Sequence, residues 1–259
     1  MRAAANAEPI VDRQIDEYRS DLKDRVAAMA GLLDSSAAGN EPTHEVVVAL
    51  RRQARELKAL GSMSGFPMVG MIAHRLEDYL TEMRDLTQED HRDVGRFVSL
   101  LQSAIGRGIN PEENEMGQLA RSLPMRRDGM RPPAVPESNV EILLVTTSNV
   151  VRMLVERDLK QRGYRVVIAR TPFEAFELAY RMKPDLLLVS NTMHGLGGAD
   201  LVRAFGAMSS TRTMAAAVLT SMDAEHVDLR DLTPRVPVVR LGRYFPGDFG
   251  RVAERYQLG

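Results

Sequence analysis

The sequence predicts a two-domain protein that combines α and α/β folds: an N-terminal four-helix bundle, then a doubly wound, five-stranded parallel sheet. In residues 1–123, apolar side chains recur at steps of three and four, the spacing of one helix face. In residues 140–259, short continuous apolar runs alternate with helical stretches, which is typical of parallel strands covered on both faces. Residues 124–139 contain four prolines and three arginines, so we predict an extended linker there.

The N-terminal domain is predicted to contain four helices, each with one apolar stripe. They begin near Glu8, Pro42-Thr43, Pro67 and Thr87, and a short amphipathic piece follows within residues 111–123. Thr87 with Asp90 three residues later indicates a helix N-cap. The Gly61 to Gly65 stretch is expected to loosen the chain between the second and third helices. Short connections and single stripes favour an antiparallel bundle that buries the stripes together.

The C-terminal domain is predicted to alternate strands with helices. The strands are expected at residues 142–145, 164–169, 186–189, 215–220 and 236–241. The helices are expected at about 149–161, 173–182, 199–208 and 247–256, with a short one near 224–232. In such a domain, functional side chains gather at the carboxyl ends of the strands.

Composition argues against several classes of partner and site. The net charge is −1 and basic residues are matched by acidic ones, so we expect neither a nucleic-acid nor a membrane partner. The chain contains no cysteine, which excludes disulfides and thiolate metal sites. No apolar run approaches the roughly 20 residues of a membrane span, and no signal-peptide pattern is present. We therefore expect a cytoplasmic protein.

One stretch in the C-terminal half, PDLLLVSNTMHGLGG from Pro184 to Gly198, joins an apolar strand to a glycine-rich loop. It resembles the central strand and following loop of a response-regulator receiver domain. The resemblance extends from Glu141 to about Leu258 and implies a receiver fold. It also implies five functional positions at the strand ends: the acidic pair at Thr146 and Thr147, the phosphoacceptor at Ser190, the switch residue at Thr220 and the lysine at Arg243.

The side chains at these positions do not suit receiver chemistry. Mg²⁺ prefers carboxylate oxygens, whereas Thr146, Thr147 and Ser190 supply neutral hydroxyls. The nearest acids, Glu141 and Asp185, belong to the amino ends of their strands. We therefore expect a pseudo-receiver that has no metal ion, no cofactor and no acyl-phosphate chemistry.

Two other interpretations of this region stay open. Ser190 and His194 have the residue types of a nucleophile and its base, although no orienting acid is evident. Thr220 and Arg243 offer donors to an anion such as a phosphate or a cyclic dinucleotide, by analogy with receiver-like proteins that bind such ligands.

The segment ARELKALGSMSGFPMVGMIAHRLEDYL, residues 54–80, resembles the two central helices of a histidine phosphotransfer domain. That family's motif is His, any residue, Leu, Lys, Gly, on the exposed side of one helix. Leu57 and Lys58 match the motif, whereas Arg55 replaces the histidine and Ala59 the glycine. A guanidinium stays protonated and is not nucleophilic, so Arg55 cannot carry a phosphoryl group. We predict a pseudo-phosphotransfer domain.

The helical half contains three histidines. His74 occupies a motif position that packs or orients, and His44 and His91 lie near the starts of predicted helices. A neutral imidazole is nucleophilic near pH 7, but only an exposed and correctly placed histidine serves as a phosphodonor.

Both halves thus resemble phosphorelay folds that lack the phosphate-handling residue. We hypothesise a non-enzymatic adaptor of two-component signalling that binds a response-regulator receiver domain or a histidine kinase through Arg55 and Lys58. The helical faces of the pseudo-receiver would hold another partner or a second copy of the chain. The alternatives are a sensor of small anions or cyclic dinucleotides through the altered receiver pocket, and a phosphorelay protein with a non-standard acceptor.

Overall fold

The computed structural model describes residues 8–107, 113–126, 138–193, 195–221, 229, 232 and 236–259. The chain divides into two compact units, Met1–Arg126 and Arg127–Gly259. Of the predicted linker, residues 127–137 lie outside the described residues. Within the described part of the chain, no helix combines the length and the apolar character needed to cross a lipid bilayer.

The first unit is helical. Its elements are α1 (Glu8–Ala37), α2 (Thr43–Met63), α3 (Pro67–Leu80), α4 (Gln88–Arg107) and α5 (Glu113–Ser122). α1 packs against α2 and α4, and α3 packs against the same two helices. The predicted stripes supply the buried side chains, among them Val26, Leu57, Ile72 and Leu101.

The start of α4 confirms the predicted N-cap. Thr87 Oγ1 accepts a hydrogen bond from the Asp90 backbone N–H at 3.2 Å, and Asp90 Oδ2 accepts one from the Thr87 backbone N–H at 2.9 Å. These reciprocal bonds satisfy backbone donors that the first turn of a helix leaves without partners.

The predicted break between α2 and α3 falls in the later part of the expected stretch, at residues 64–66, because α2 continues to Met63 and α3 begins at Pro67. Gly61 lies against the backbone of α3: a Cβ atom placed on it would come within 2.5 Å of the Gly70 nitrogen. The glycine therefore permits a close approach of two helices. From the sequence alone, a glycine that permits helix contact cannot be distinguished from a glycine that ends a helix.

The second unit contains a single parallel sheet. Its elements are β1 (Glu141–Val145), α6 (Asn149–Gln161), β2 (Arg165–Ala169), α7 (Pro172–Met182), β3 (Leu186–Ser190), α8 (Gly198–Ala207), β4 (Ala215–Thr220), β5 (Val238–Arg240), a 3₁₀ turn (Gly242–Tyr244) and α9 (Phe245–Tyr256). The strand order is β2-β1-β3-β4-β5, and every pair is parallel. This order confirms the predicted doubly wound sheet and gives the unit a receiver-like fold.

Helices cover the sheet. Val155 and Leu159 of α6 share one apolar core with Phe245 and Phe249 of α9 and with alternate strand residues. α7 and α8 meet through the rings of Phe176 and Phe205, whose centroids lie 4.6 Å apart. As expected for a sheet between helices, β1, β2 and β3 are buried along their whole length.

The last strand differs from its prediction. β5 covers three residues rather than the expected 236–241, and α9 starts two residues before the expected 247. Among the described strands, β5 pairs only with β4. The two strands end together, and the Leu241 backbone N–H donates to the Thr220 carbonyl at 2.8 Å. The helix expected near 224–232 lies outside the described residues except for Leu229 and Leu232.

The glycine contact between α2 and α3 can be tested by adding one methyl group. Gly61→Ala should lower the free energy of unfolding by about 1–3 kcal/mol, because the new Cβ forces the two backbones apart. Gly95→Ala on α4 is the matched control, since a Cβ there meets nothing within 4 Å. The control should be neutral or stabilising by about 0.5–1 kcal/mol. Chemical denaturation followed by helical circular dichroism measures both; equal effects would contradict the close contact.

Candidate functional site

The residues predicted from the phosphotransfer motif meet around one carboxylate. Arg55 and Lys58 lie on α2, and Glu77 lies on the facing helix α3. Arg55 Nε is 3.2 Å from Glu77 Oε1, and Lys58 Nζ is 2.6 Å from Glu77 Oε2. Glu77 is 17% exposed, whereas the side chain of Arg55 is 71% exposed. The Glu77 carboxylate therefore holds Lys58 and one side of the Arg55 guanidinium, while most of the Arg55 side chain is exposed to solvent.

Arg55 belongs to a line of exposed residues along α2. Val48, Arg52, Arg55 and Ala59 follow one another at steps of four, three and four, and all are exposed. We call these four residues the α2 stripe. Glu56, which is next to Arg55 in sequence, pairs instead with Arg25 of α1. The centre of the stripe therefore carries two arginines and no carboxylate.

The environment of Glu77 keeps it ionised. Burial by itself would raise the pKa of Glu77, but the hydrogen bond and charge of Lys58, then the hydrogen bond from Arg55, hold that pKa below the usual value of a glutamate. Ionised Glu77 can therefore orient both cations at neutral pH.

The three histidines of the helical unit occupy different settings. His74 is buried, with Nε2 3.4 Å from Asp78 Oδ2. The ring nitrogens of His91 lie 2.9 Å from the Thr87 carbonyl and 3.2 Å from Ser36 Oγ. The side chain of His44 is exposed in the first turn of α2.

The receiver-type positions gather at the carboxyl edge of the sheet. Thr146 directly follows β1, Ser190 ends β3 and Thr220 ends β4. All three are buried, with exposures of 2%, 5% and 2%, whereas Thr147 is exposed. The sheet therefore places three hydroxyl groups where the resemblance implied carboxylates and a switch hydroxyl.

Local hydrogen bonds involve these hydroxyls. Thr146 Oγ1 accepts from the Ser148 backbone N–H at 3.2 Å, and Ser190 Oγ is 3.4 Å from the Thr192 carbonyl. Gly198 lies against Ser190, since a Cβ at Gly198 would come within 2.4 Å of the Ser190 carbonyl oxygen. The first residue of α8 is thus closely packed against the end of β3.

Acidic side chains lie at the opposite edge, as predicted. Glu141 is the first residue of β1, and its backbone N–H donates to Asp185 Oδ2 at 2.8 Å just before β3. Among the residues that the structure describes, no group of three or more His, Asp or Glu side chains could hold a metal ion. His194, the proposed base for Ser190, lies outside the described residues.

Arg243 lies in the 3₁₀ turn after β5 and is exposed. Its Nη2 donates to Tyr244 Oη at 2.7 Å. Sequence reasoning missed the neighbouring Arg240 and Asp248, which form a bidentate ion pair. The hydrogen bonds from Arg240 hold the pKa of Asp248 below its usual range. The sequence did indicate one partner of Asp248. Arg251 follows it by three residues on the predicted helix, which is the spacing of a helical ion pair, and Arg251 Nη2 donates to Asp248 Oδ1.

No protein-family model matches the chain. No curated protein matches its sequence.

Solved structures similar to this chain are receiver domains and response regulators. They include the receiver domain of a sensor histidine kinase from Pseudomonas aeruginosa (24% identity, 47% of this chain, 98% of that chain, TM-score 0.40). A response regulator from Desulfuromonas acetoxidans matches at 19% identity over 46% of this chain and 98% of its own, with a TM-score of 0.39. The chemotaxis response regulator CheY4 of Vibrio cholerae matches at 20% identity over 45% and 98%, with a TM-score of 0.38. The strand order and parallel pairing, rather than these scores, assign the fold of the second unit.

Glu77→Gln should remove a pH-dependent part of the stability. The pKa of Glu77 is lower in the folded protein than in the unfolded chain. Ionised Glu77 therefore stabilises the fold fully at pH values above its pKa in the unfolded chain, about 4.3. This stabilisation is lost as the pH falls through the lower pKa that Glu77 has in the folded protein. At pH 7 we expect the variant to be less stable by about 1–2 kcal/mol. The difference from wild type should shrink towards pH 3.

Chemical denaturation at several pH values between 7 and 3 measures this difference. Glu17→Gln is the control, because the Glu17 side chain is 69% exposed and its 3.5 Å ion pair with Arg13 lies at the surface. The control should stay close to wild type throughout. A stability loss in Glu77→Gln that is the same at every pH would contradict a role for the ionised carboxylate.

Proposed function

We propose that this protein is a non-catalytic adaptor of two-component signalling, which binds a receiver domain or a histidine kinase without accepting phosphate. The observation that carries the proposal is Arg55. An exposed, anchored guanidinium occupies the position that a histidine holds in the phosphotransfer motif. The neighbouring Leu57 and Lys58 retain the identities found in that motif.

The packing of the helical unit supports a phosphotransfer-type arrangement. Each of α1 to α4 contacts two of the other three helices, as in a four-helix bundle. The motif residues lie on different sides of α2. Leu57 is buried in the unit, whereas Arg55 is exposed to solvent. The α2 stripe therefore lies on the solvent-facing side of α2.

The chemistry of Arg55 suits an acidic pocket on the partner. Its Nε is held by Glu77, and its two terminal nitrogens make no hydrogen bond to any residue that the structure describes. Guanidinium donors form short, charge-assisted hydrogen bonds with carboxylates. The acidic pocket of a receiver domain offers such carboxylates, and Arg52 on the same stripe adds a second positive charge.

Features of both units support a role without phosphate transfer. In the helical unit, His74 is buried and both ring nitrogens of His91 contact oxygen atoms. In the receiver-like unit, the carboxyl edge carries Thr146, Ser190 and Thr220 instead of the acidic groups that bind Mg²⁺. Only a carboxylate can form an acyl phosphate; a serine or threonine hydroxyl forms a phosphate ester instead, and needs a base to take its proton.

Charge reversal at Arg55 tests partner binding. Arg55→Glu should abolish binding to the receiver domain that the wild type binds most tightly, because it opposes the partner's carboxylates with another carboxylate. Purified receiver domains from the same organism would be titrated by calorimetry, unphosphorylated and with beryllofluoride. Arg52→Glu, on the same stripe, should weaken binding by about tenfold or more.

Arg92→Glu provides the matched control, since Arg92 is an exposed arginine on α4, away from the α2 stripe. It should bind like the wild type. Wild-type affinity in Arg55→Glu, or equal losses in Arg55→Glu and Arg92→Glu, would contradict docking through the α2 stripe.

A second prediction concerns phosphate incorporation. Incubation with Mg²⁺ and a small phosphodonor, and separately with a phosphorylated receiver and its kinase, should add no phosphoryl group to the intact mass of the protein. Arg55→His with Ala59→Gly restores the motif and should accept label from the phosphorylated receiver. Stoichiometric label on the wild-type chain would show instead that it is a phosphorelay protein with a non-standard acceptor.

A further inference from the structure

The outward side of α7 carries two aromatic side chains that face solvent. Phe173 is 85% exposed, more than any other large hydrophobic residue that the structure describes, and Tyr180 is 60% exposed. The two residues are seven positions apart, which is about two helical turns, so they lie on the same side of the helix. Glu177 lies between them and is 39% exposed. We call Phe173, Glu177 and Tyr180 the α7 face.

The packing of α7 fixes the direction of this face. The first turn is held by a reciprocal cap, in which Thr171 Oγ1 accepts from the Glu174 backbone N–H at 3.1 Å and Glu174 Oε2 accepts from the Arg170 backbone N–H at 2.8 Å. Four residues on the opposite side of α7 are buried: Ala175, Leu178, Ala179 and Met182. Turning the α7 face inward would expose those four residues, so its exposure follows from the fold.

Exposed aromatic rings on one helix face are characteristic of a contact surface. Aromatic side chains are enriched at protein interfaces, where each ring removes a large area from water. Apolar residues scattered singly over a surface carry no such meaning, whereas residues that share a face do. The spacing and the charges of α7 indicate which kind of partner this face fits.

The spacing of the α7 face matches a second copy of the same helix. Symmetric dimers use one self-complementary patch, so a residue of each copy contacts its counterpart across a two-fold axis. Two α7 helices that run antiparallel, with the axis midway between positions 173 and 180, place Phe173 of each copy opposite Tyr180 of the other. Both ring pairs form at once, and aromatic pairs are favourable at such facing positions.

The charges on one flank of α7 have the same symmetry. Glu174 lies in the first turn and Arg181 in the last turn, again seven residues apart. In an antiparallel pair the start of one helix lies beside the end of the other, so Glu174 of each copy lies near Arg181 of the other and the charges attract. A parallel pair would bring Glu174 beside Glu174 and Arg181 beside Arg181. Charge therefore favours the antiparallel arrangement.

Glu177 is the residue of the α7 face that lies nearest the two-fold axis. Its Oε1 is 3.2 Å from Arg181 Nη1 of the same helix. This ion pair reduces the repulsion between the two Glu177 carboxylates of an antiparallel pair.

We propose that the α7 face is the contact surface of a symmetric, antiparallel dimer of this chain. Phe173 and Tyr180 supply the apolar contact, and Glu174 and Arg181 supply the charge pairs on its flank. One helix face is smaller than the roughly 800 Å² per partner of a standard stable interface, so we expect a weak dimer that depends on concentration. The α7 face lies in the receiver-like unit, so this proposal does not depend on docking through the α2 stripe.

Sedimentation equilibrium of the full-length protein tests the dimer. The average mass should rise towards twice the monomer mass as the concentration approaches about 1 mM. Phe173→Ser and Tyr180→Ser should each weaken dimerisation by about tenfold or more, because symmetry removes the ring from two contacts at once. Val150→Ser is the matched control, since Val150 is an equally apolar position on α6 that is 67% exposed. It should dimerise like the wild type.

Charge exchange tests the antiparallel arrangement. Glu174→Arg and Arg181→Glu should each weaken dimerisation by about fivefold or more, because each places like charges together on both flanks. An equimolar mixture of these two variants restores opposite charges and should form a mixed dimer. Thermal unfolding would verify that each variant is folded. Arg55→Glu should dimerise like the wild type, which separates this surface from the α2 stripe.

The absence of cysteine from the chain permits a second measurement that does not remove an aromatic ring. Glu177→Cys places two thiols near the two-fold axis, and mild oxidation should link the two copies by a disulfide. Gln102→Cys, at an exposed position on α4, is the control and should cross-link far more slowly. A protein that stays monomeric at every concentration, equal effects of Phe173→Ser and Val150→Ser, or equal cross-linking of the two cysteine variants would overturn the proposal.

Discussion

Close packing of α2 on α3 is the constraint on which the candidate docking surface depends. The two backbones approach at Gly61 and Gly70 without room for a side chain at Gly61. This approach brings Glu77 of α3 within hydrogen-bond distance of Arg55 and Lys58 of α2. A largely buried carboxylate with two cationic partners is costly to rearrange, because separating them would leave a charge in a partly apolar setting. The outward direction of Arg55 is thus a product of helix packing.

In the receiver-like unit, parallel topology has the corresponding effect. Parallel strands end at the same edge, so Thr146, Ser190 and Thr220 come together although they are far apart in sequence. The same rule places Glu141 and Asp185 at the other edge, away from these hydroxyls. The chemical character of the edge therefore follows from which residue ends each strand. Among the described residues of this edge, Thr146, Ser190 and Thr220 present neutral hydroxyls, which can donate and accept hydrogen bonds.

Two groups of cationic side chains in the described part of the chain differ in which neighbours hold them. Beside the α2 stripe, Glu77 binds Arg55 and Lys58, while most of the Arg55 side chain is exposed to solvent. At the junction of β5 and α9, Asp248 binds Arg240 and Arg251, while Arg243 lies against the Tyr244 ring. In both cases one carboxylate pairs with two cationic side chains. Ordered arginines are the form in which proteins recognise carboxylates and phosphates.

The sequence by itself determined the element types, the parallel sheet and the positions of Arg55 and Ser190, because these depend on local periodicity and on motif spacing. It even determined the Thr87–Asp90 cap, whose partners lie within one helical turn. It did not reveal that Gly61 is a contact point, that β5 is short or that Arg240 lies over the Tyr244 ring. Those features were decided by tertiary structure: the α3 backbone beside Gly61, the end of β4 beside β5, and the turn that carries Tyr244 against Arg240. The physical reason is that each depends on a neighbour that only folding brings within a few ångströms.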